Sequence, residues 1–275
     1  MALSICDPPF CVVCDRQTHS DFAFCYCCQT LVRQLQMPLA PVMVVTDYRI
    51  GDPMHRRLRG YKDAHASEAR QMFSTALARL VGPWLATHHD RLVRRFGSGW
   101  DTVVTVPSTH RPTGARVDAV VAMVPELSLR HRTLLERGPE VTDHLRAARK
   151  GFAVIGSVDR AWLKRRIVLV FDDTITTGAR AQSAVAALRI AGARVVGVVA
   201  VGRAVGLGTV DVESDHGAIG TGLAVDGHSA RHGACSCESS PSPNRVPPTI
   251  SSWRSPRPRN GSASTPSSEV ITTWR

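Results

Sequence analysis

Residues 167–171, IVLVF, form an unbroken apolar run that stops at two adjacent acids, Asp172 and Asp173. A strand that is apolar at every position has no face to give to water, so this run predicts a central parallel strand covered on both sides. A polar stretch, 172–178 (DDTITTG), comes next, and Ala181, Ala184, Val185 and Leu188 then recur at helical spacing. Gly192 marks the C-terminal cap of that helix, and residues 195–201, VVGVVAV, supply the next strand. Strand, loop, helix, strand is one right-handed crossover unit. The chain is therefore predicted to be α/β, with an open, mainly parallel sheet flanked by helices.

Two further segments fit that plan. Residues 102–106, TVVTV, read as a second central strand closed by Pro107. Ala69, Met72, Phe73, Ala76, Leu77, Leu80 and Val81 fall on one stripe of a helix. The expected organisation is a cysteine-rich module over 1–40, an α/β domain over 41–205, and a tail over 206–275. Residues 228–275 hold 12 Ser and 7 Pro with almost no aliphatic clustering, so the tail is expected to be disordered. In the 275-residue chain no apolar run reaches the ~18 residues of a membrane helix, so no membrane insertion is expected. MALSICDPPF lacks a basic flank and a signal-length apolar stretch, which points to the cytoplasm, where thiols stay reduced.

Charge is unevenly spread. The net +11 arises from 34 Lys and Arg against 23 Asp and Glu, but residues 204–275 hold six of each sign. The excess thus lies in the part expected to fold, and it suits polyanions, either nucleic acid or small phosphorylated molecules.

Six of the eight cysteines fall between Cys6 and Cys28, in a segment too short for its own core. Cys11-x-x-Cys14 and, ten residues later, Cys25-x-x-Cys28 are two knuckles able to offer four thiolates to a structural Zn²⁺. Free reduced thiols and disulfides are the alternatives, and Cys27 is an alternative to Cys25 or Cys28 as ligand. Cys235-x-Cys237 in the tail is read as incidental.

The chemistry is expected in the 172–178 loop. It lies at the carboxyl end of a parallel strand, where ligands bind in open α/β sheets, and it feeds a helix beginning near Ala179 whose free N–H groups attract phosphate. Thr174, Thr176, Thr177 and Gly178 suit an anion nest, whereas Asp172 and Asp173 would repel a phosphate and must face another part of the ligand. A ribose 5-phosphate unit meets both needs, with hydroxyls for the acids and a phosphate for the amides. This reading requires the two carboxylates to face a solvent-reachable hollow. The bland alternative makes the acids and threonines helix caps and turn residues, but a cap needs one acid rather than two. A haloacid-dehalogenase-like phosphatase would need a second Asp two residues after its nucleophile, and here Thr174 and Ile175 stand at those positions.

The segment IVLVFDDTITTGAR resembles the signature loop of the type I phosphoribosyltransferases, which bind 5-phosphoribosyl-1-pyrophosphate. The resemblance implies that Asp172 and Asp173 contact the ribose hydroxyls and act as the catalytic pair, and that Thr174, Thr176, Thr177 and Gly178 bind the 5-phosphate. With the cysteine knuckle in front, the chain looks like the ComF family over roughly residues 8–203: PPFCVVC, Leu58-Arg-Gly-Tyr-Lys62, Val104-Thr-Val-Pro107 and Asp143-His-Leu-Arg-Ala-Ala-Arg-Lys-Gly-Phe152 all have ComF-like counterparts. The family resemblance further implies Pro107, Ser108 and Thr109 for pyrophosphate, together with Lys62, Arg146 and Arg149, and Mg²⁺ bound with the substrate. The Arg-Gly-Phe-Asn element usual after the Val-Pro strand is replaced here by Arg111-Pro-Thr-Gly-Ala-Arg116.

The function expected from the sequence is thus a phosphoribosyltransferase-like enzyme, of type I phosphoribosyltransferase-like fold, acting on an unspecified nitrogen acceptor. A non-catalytic phosphoribosyl or nucleotide sensor is the alternative. A competence-type accessory of DNA uptake that binds single-stranded DNA is a third, although aromatics form only 5% of the chain and cluster only in the cysteine segment.

Overall fold

The computed structural model describes residues 10–18, 22–108 and 116–205. Cys6, Thr109, 111–115, Cys235, Cys237 and the tail 206–275, each the subject of a sequence-based expectation, lie outside the described residues. Among these residues the elements run α1 (Tyr26–Leu35), β1 (Val42–Tyr48), α2 (Pro53–Asp63), α3 (Ser67–Phe96), β2 (Thr102–Thr105), α4 (Asp118–Ala122), α5 (Pro125–Ser128), β3 (Leu135–Arg137), β4 (Phe152–Val154), α6 (Arg160–Lys164), β5 (Ile167–Ile175), α7 (Ala179–Ile190) and β6 (Arg194–Ala204). No helix among them is long and apolar enough to cross a membrane.

The apolar runs become a four-stranded sheet in the order β1-β6-β5-β2, and every neighbouring pair is parallel. β3 and β4 form a separate antiparallel hairpin. Alternate residues of the central strands enter two cores. Val168 and Val170 face one that also holds Ala184, Leu188, Cys11 and Cys28. Leu169 and Phe171 face another, built with Leu77, Val81 and Phe96 of α3. Coverage on both faces is why these strands are apolar throughout. The cysteine segment shares the first core rather than standing apart, and Leu31 and Leu35 of α1 pack beside Ala179 and Ala186 of α7.

Two sequence-based expectations shift. β5 does not end at Phe171; it runs on through Asp172, Asp173 and Thr174 to Ile175, because β6 pairs with it as far as Ile175 opposite Arg203. The acids therefore sit on the strand's last residues rather than in a loop. On α3 the buried positions are Ser74, Leu77, Ala78, Val81, Leu85, Leu92 and Phe96, while Met72 of the predicted stripe is exposed. The early turns of α3 meet α2, where the Phe73 ring lies against bare Gly60, and a Cβ there would stand 2.3 Å from the ring.

α7 begins after Gly178, whose φ of +90° is readily adopted only by glycine, and ends as predicted at Gly192, φ +99°. Inside α7, Gln182 is buried and holds both backbone groups of Ala40: it accepts from the Ala40 N–H at 3.0 Å and donates to the Ala40 C=O at 2.8 Å. This pair fixes the chain entering β1 against the helix. Gln182→Ala leaves two buried backbone groups unpaired, each worth about 1–3 kcal/mol. Chemical denaturation should show a loss of roughly 2–4 kcal/mol, and a loss under roughly 0.5 kcal/mol would show that water restores both bonds.

Candidate functional site

At the N-terminal end, Cys25 caps α1 and Cys28 lies in its first turn, where the helix's free N–H groups favour thiolates. Asp15, at φ +55°, turns the first knuckle, and its N–H donates to the Cys11 carbonyl at 3.0 Å. The Sγ atoms of Cys11, Cys14, Cys25 and Cys28 all lie within 4.8 Å of one another, with Cys14 and Cys25 3.6 Å apart. A tetrahedron with Zn–S bonds of about 2.3 Å has edges of about 3.8 Å, so the set fits Zn²⁺ in a closed structural site. Cys27 is not one of the four, although its thiol bonds to that of Cys25. Hydrogen bonding from Cys14 holds the Cys11 thiol down at about 6, and the bond to Cys11 pulls Cys25 down as well.

Buried Arg203, the last β6 residue paired with β5, donates to the Cys14 carbonyl at 2.6 Å and grips Asp47 of β1 through both carboxylate oxygens, at 2.6 and 3.0 Å. Arg16 donates to the Thr176 carbonyl at 2.7 Å. The knuckle is thus bonded directly to the sheet end and to the 176–178 turn. The cleft between them holds only about 10 Å³, room for little more than one water.

The predicted ribose-phosphate residues converge at the carboxyl edge of the sheet. Thr177 accepts from the Ala179 N–H at 3.2 Å and donates to the His144 carbonyl, so it caps α7 as well as lining the turn. Thr176 is exposed and Thr174 half-buried. Pro107 and Ser108 follow β2, and the Pro107 carbonyl accepts from Arg180 at 2.6 Å. Thr109 is outside the described residues. Arg146 is exposed on a turn whose His144 meets Thr177, whereas Arg149 does not reach the site and instead lines a hollow at the other end of α7.

The acids are not open to solvent. Asp172 is only 4% exposed, and one of its oxygens accepts from the Asp173 N–H at 3.0 Å. Asp173 is held by the Tyr61 hydroxyl and by the Lys62 ammonium at 2.8 Å, and Lys62 also reaches the Thr174 hydroxyl at 3.3 Å. The expectation of carboxylates facing a solvent-reachable hollow is therefore not met: Asp172 is buried, and the end of α2 covers Asp173. Gly202 makes that cover possible, since a Cβ there would stand 2.6 Å from Leu58 of α2. Burial pushes the Asp172 carboxyl above the usual carboxylate range, against the pull of Arg180 and Lys62. It lifts Asp173 to about 6, against Arg180, and drops Lys62 to about 8, against Asp172.

The sequence reading missed two contributors. The signal for Tyr61, an aromatic hydroxyl next to a candidate lysine, is weak. Arg180 carried a stronger signal: a cation in a helix's first turn opposes the helix dipole and so needs an anionic partner nearby. The chain matches neither a family model nor a curated protein.

Two outcomes test this geometry. Metal analysis of purified protein should find one zinc per chain, lost in Cys11→Ser and Cys28→Ser and kept in Cys27→Ser; zinc loss in the Cys27 variant would reassign the ligands. A carboxyl whose pKa is raised by folding favours the folded state below the unfolded pKa, near 3.9, and loses that stability as pH rises through the folded value. Asp172→Asn should accordingly raise the melting temperature at pH 7.5, by roughly 2 °C or more, and leave it unchanged near pH 3.5. An equal shift at both pH values would remove the electrostatic explanation.

Proposed function

We propose that this chain binds 5-phosphoribosyl-1-pyrophosphate with Mg²⁺ at the carboxyl edge of β5 and transfers the phosphoribosyl group to a nitrogen acceptor. One observation carries the reading: two acids end a buried parallel strand and are followed by a Thr-Thr-Gly turn into the open start of α7. Acids placed there, at the expense of burial, suit ribose hydroxyls and the metal that accompanies the substrate, while the turn and helix start suit the 5-phosphate. Mg²⁺ supplies charge for the departing pyrophosphate, and the chain's part is to orient the two phosphorylated ends and exclude water. No protein nucleophile is needed, because pyrophosphate is already a capable leaving group. The resemblance to ComF-like phosphoribosyltransferases supports the same assignment.

The contacts of Tyr61 and Lys62 with Asp173 support a closed arrangement that the substrate would open. Lys62 neutralises Asp173 until ribose and metal take over that carboxylate, and the lysine then turns to the pyrophosphate. The Lys62 and Tyr61 contacts also favour a second reading, a non-catalytic sensor whose own side chains stand in for the ligand.

Calorimetric titration with 5-phosphoribosyl-1-pyrophosphate and Mg²⁺ should show saturable binding. Asp172→Ala and Asp173→Ala should each weaken it about tenfold or more, at roughly 1.5–3 kcal/mol per charged hydrogen bond. Tyr61→Phe, which removes one bond from the closed arrangement alone, should tighten it roughly threefold. Unchanged affinity in both Asp variants would reject the site. Steady pyrophosphate release with amine and base acceptors marks the enzyme, and binding without release marks the sensor.

A further inference from the structure

We propose that the hollow at the carboxyl end of α7 is a second ligand site, shaped for a free nucleotide whose phosphates meet its cations and whose base lies on its apolar floor. The hollow measures about 560 Å³, within the usual range for small-molecule sites. Arg149, Lys150, Arg160 and Lys164 line it, and none of its lining residues is acidic. All four cations are exposed to solvent. Among the described residues, the side chains of Arg149, Lys150 and Lys164 have no hydrogen-bond or ion-pair partner. Arg160 alone is anchored, donating to the Val154 carbonyl at 3.2 Å. Glu140, next to this loop, is not part of the lining; its Oε2 accepts from the Lys150 main-chain N–H at 3.0 Å.

A cation near a helix's carboxyl end is ordinary, because the dipole is negative there. That accounts for one lysine at most. Two of the last carbonyls of α7 are already closed, by the Gly192 N–H to Arg189 at 2.9 Å and the Ala193 N–H to Leu188 at 3.0 Å. The four cations come from two separate stretches of chain, the loop before β4 and α6, so no single helix end gathers them. Four cations converging on one hollow make a positive field that suits an anionic ligand. Gly192 also leaves room for this arrangement: a Cβ there would lie 2.7 Å from the Lys164 side chain, whose stem crosses the helix end.

The floor narrows the ligand class. Phe152 and Val154 line the hollow but are themselves buried, and the accessible apolar surface is that of Ile190, 56% exposed, beside them. Inorganic phosphate would leave that surface unused, whereas a nucleotide covers it with its base. Phe152 is the only aromatic in the lining, so a single strand of nucleic acid finds no series of stacking platforms. This site does not depend on the phosphoribosyl reading, since it lies at the opposite end of a 12-residue helix, about 18 Å long.

Isothermal titration of the full chain with ADP should give saturable binding at one site. The double variant Arg149→Glu/Lys164→Glu should weaken it about tenfold or more, and Ile190→Glu severalfold. Arg79→Glu, an exposed change on α3, and Asp172→Ala should leave it unaltered. The proposal falls if wild type shows no saturable binding, if Arg79→Glu weakens ADP as much as the double variant, or if Asp172→Ala abolishes the ADP signal. Inorganic pyrophosphate binding as tightly as ADP, or a 12-nucleotide strand binding where ADP does not, also overturns it. Loss of 5-phosphoribosyl-1-pyrophosphate binding in Asp172→Ala with ADP binding kept leaves both sites standing.

Discussion

The parallel ladder between β5 and β6 is the constraint from which the rest of the molecule follows. It continues beyond the apolar core, pairing Asp172 with Ala200, Thr174 with Gly202 and Ile175 with Arg203. An ordinary strand would end where its apolar residues end. Here the backbone bonds carry two carboxylates in regular extended geometry to the edge of the sheet, so their spacing is set by the pleat rather than by a loop. The partner residues share the work. Gly202 admits Leu58 and thereby α2, and Arg203 ties the strand end to Asp47 and to the Cys14 carbonyl. One stretch of backbone pairing thus positions the acids, the helix that covers them and the cysteine knuckle.

Keeping carboxylates in that position opposes folding. Asp172 is nearly inaccessible, and the cations near it do not cancel the cost of desolvation, which is why its carboxyl titrates high. Buried polar groups retained against stability are concentrated at functional sites, which makes the acid pair more telling than the threonines. Thr177 would be useful to any helix that needs a cap, whereas Asp172 caps nothing and bonds only the neighbouring N–H among the contacts described. The Lys62–Asp173 pair is a local remedy, and it is expensive to both partners: each is shifted toward its neutral form by burial.

Much of this was legible in the residues because apolar continuity reports burial on both faces. The parallel strands over 102–106, 167–171 and 195–201, the helix start near Ala179 and its stop at Gly192 all follow from it. The four-cysteine set was legible from spacing alone, and the structure gathers Cys11, Cys14, Cys25 and Cys28 as that set. Long-range choices were not legible. Nothing in Tyr61 or Lys62 says that they will close on Asp173, 112 and 111 residues away, because that depends on Gly60 and Gly202 letting α2 settle against Phe73 and Leu58 against the sheet. Acids are poor strand signals, so the far end of β5 reads as a loop in the sequence, and only pairing with β6 overrides that preference. Arg149 illustrates the same limit, since a motif gives sequence proximity and the hairpin before β4 turns its side chain to the other end of α7.

α7 organises the charge of this region. Its positive end faces Asp172 and Asp173, and its negative end faces the Arg149–Lys164 group, so both ends are matched in sign to the side chains around them. Arg180 breaks that pattern, standing as a cation in the first turn where the dipole opposes it. It is stabilised there by the Pro107 carbonyl and by the two acids, whose titration it lowers, yet its Nε is buried without a hydrogen-bond partner among the described residues. A cation placed against the helix field is held there by the two carboxylates it faces, which outweigh the unfavourable end of the dipole.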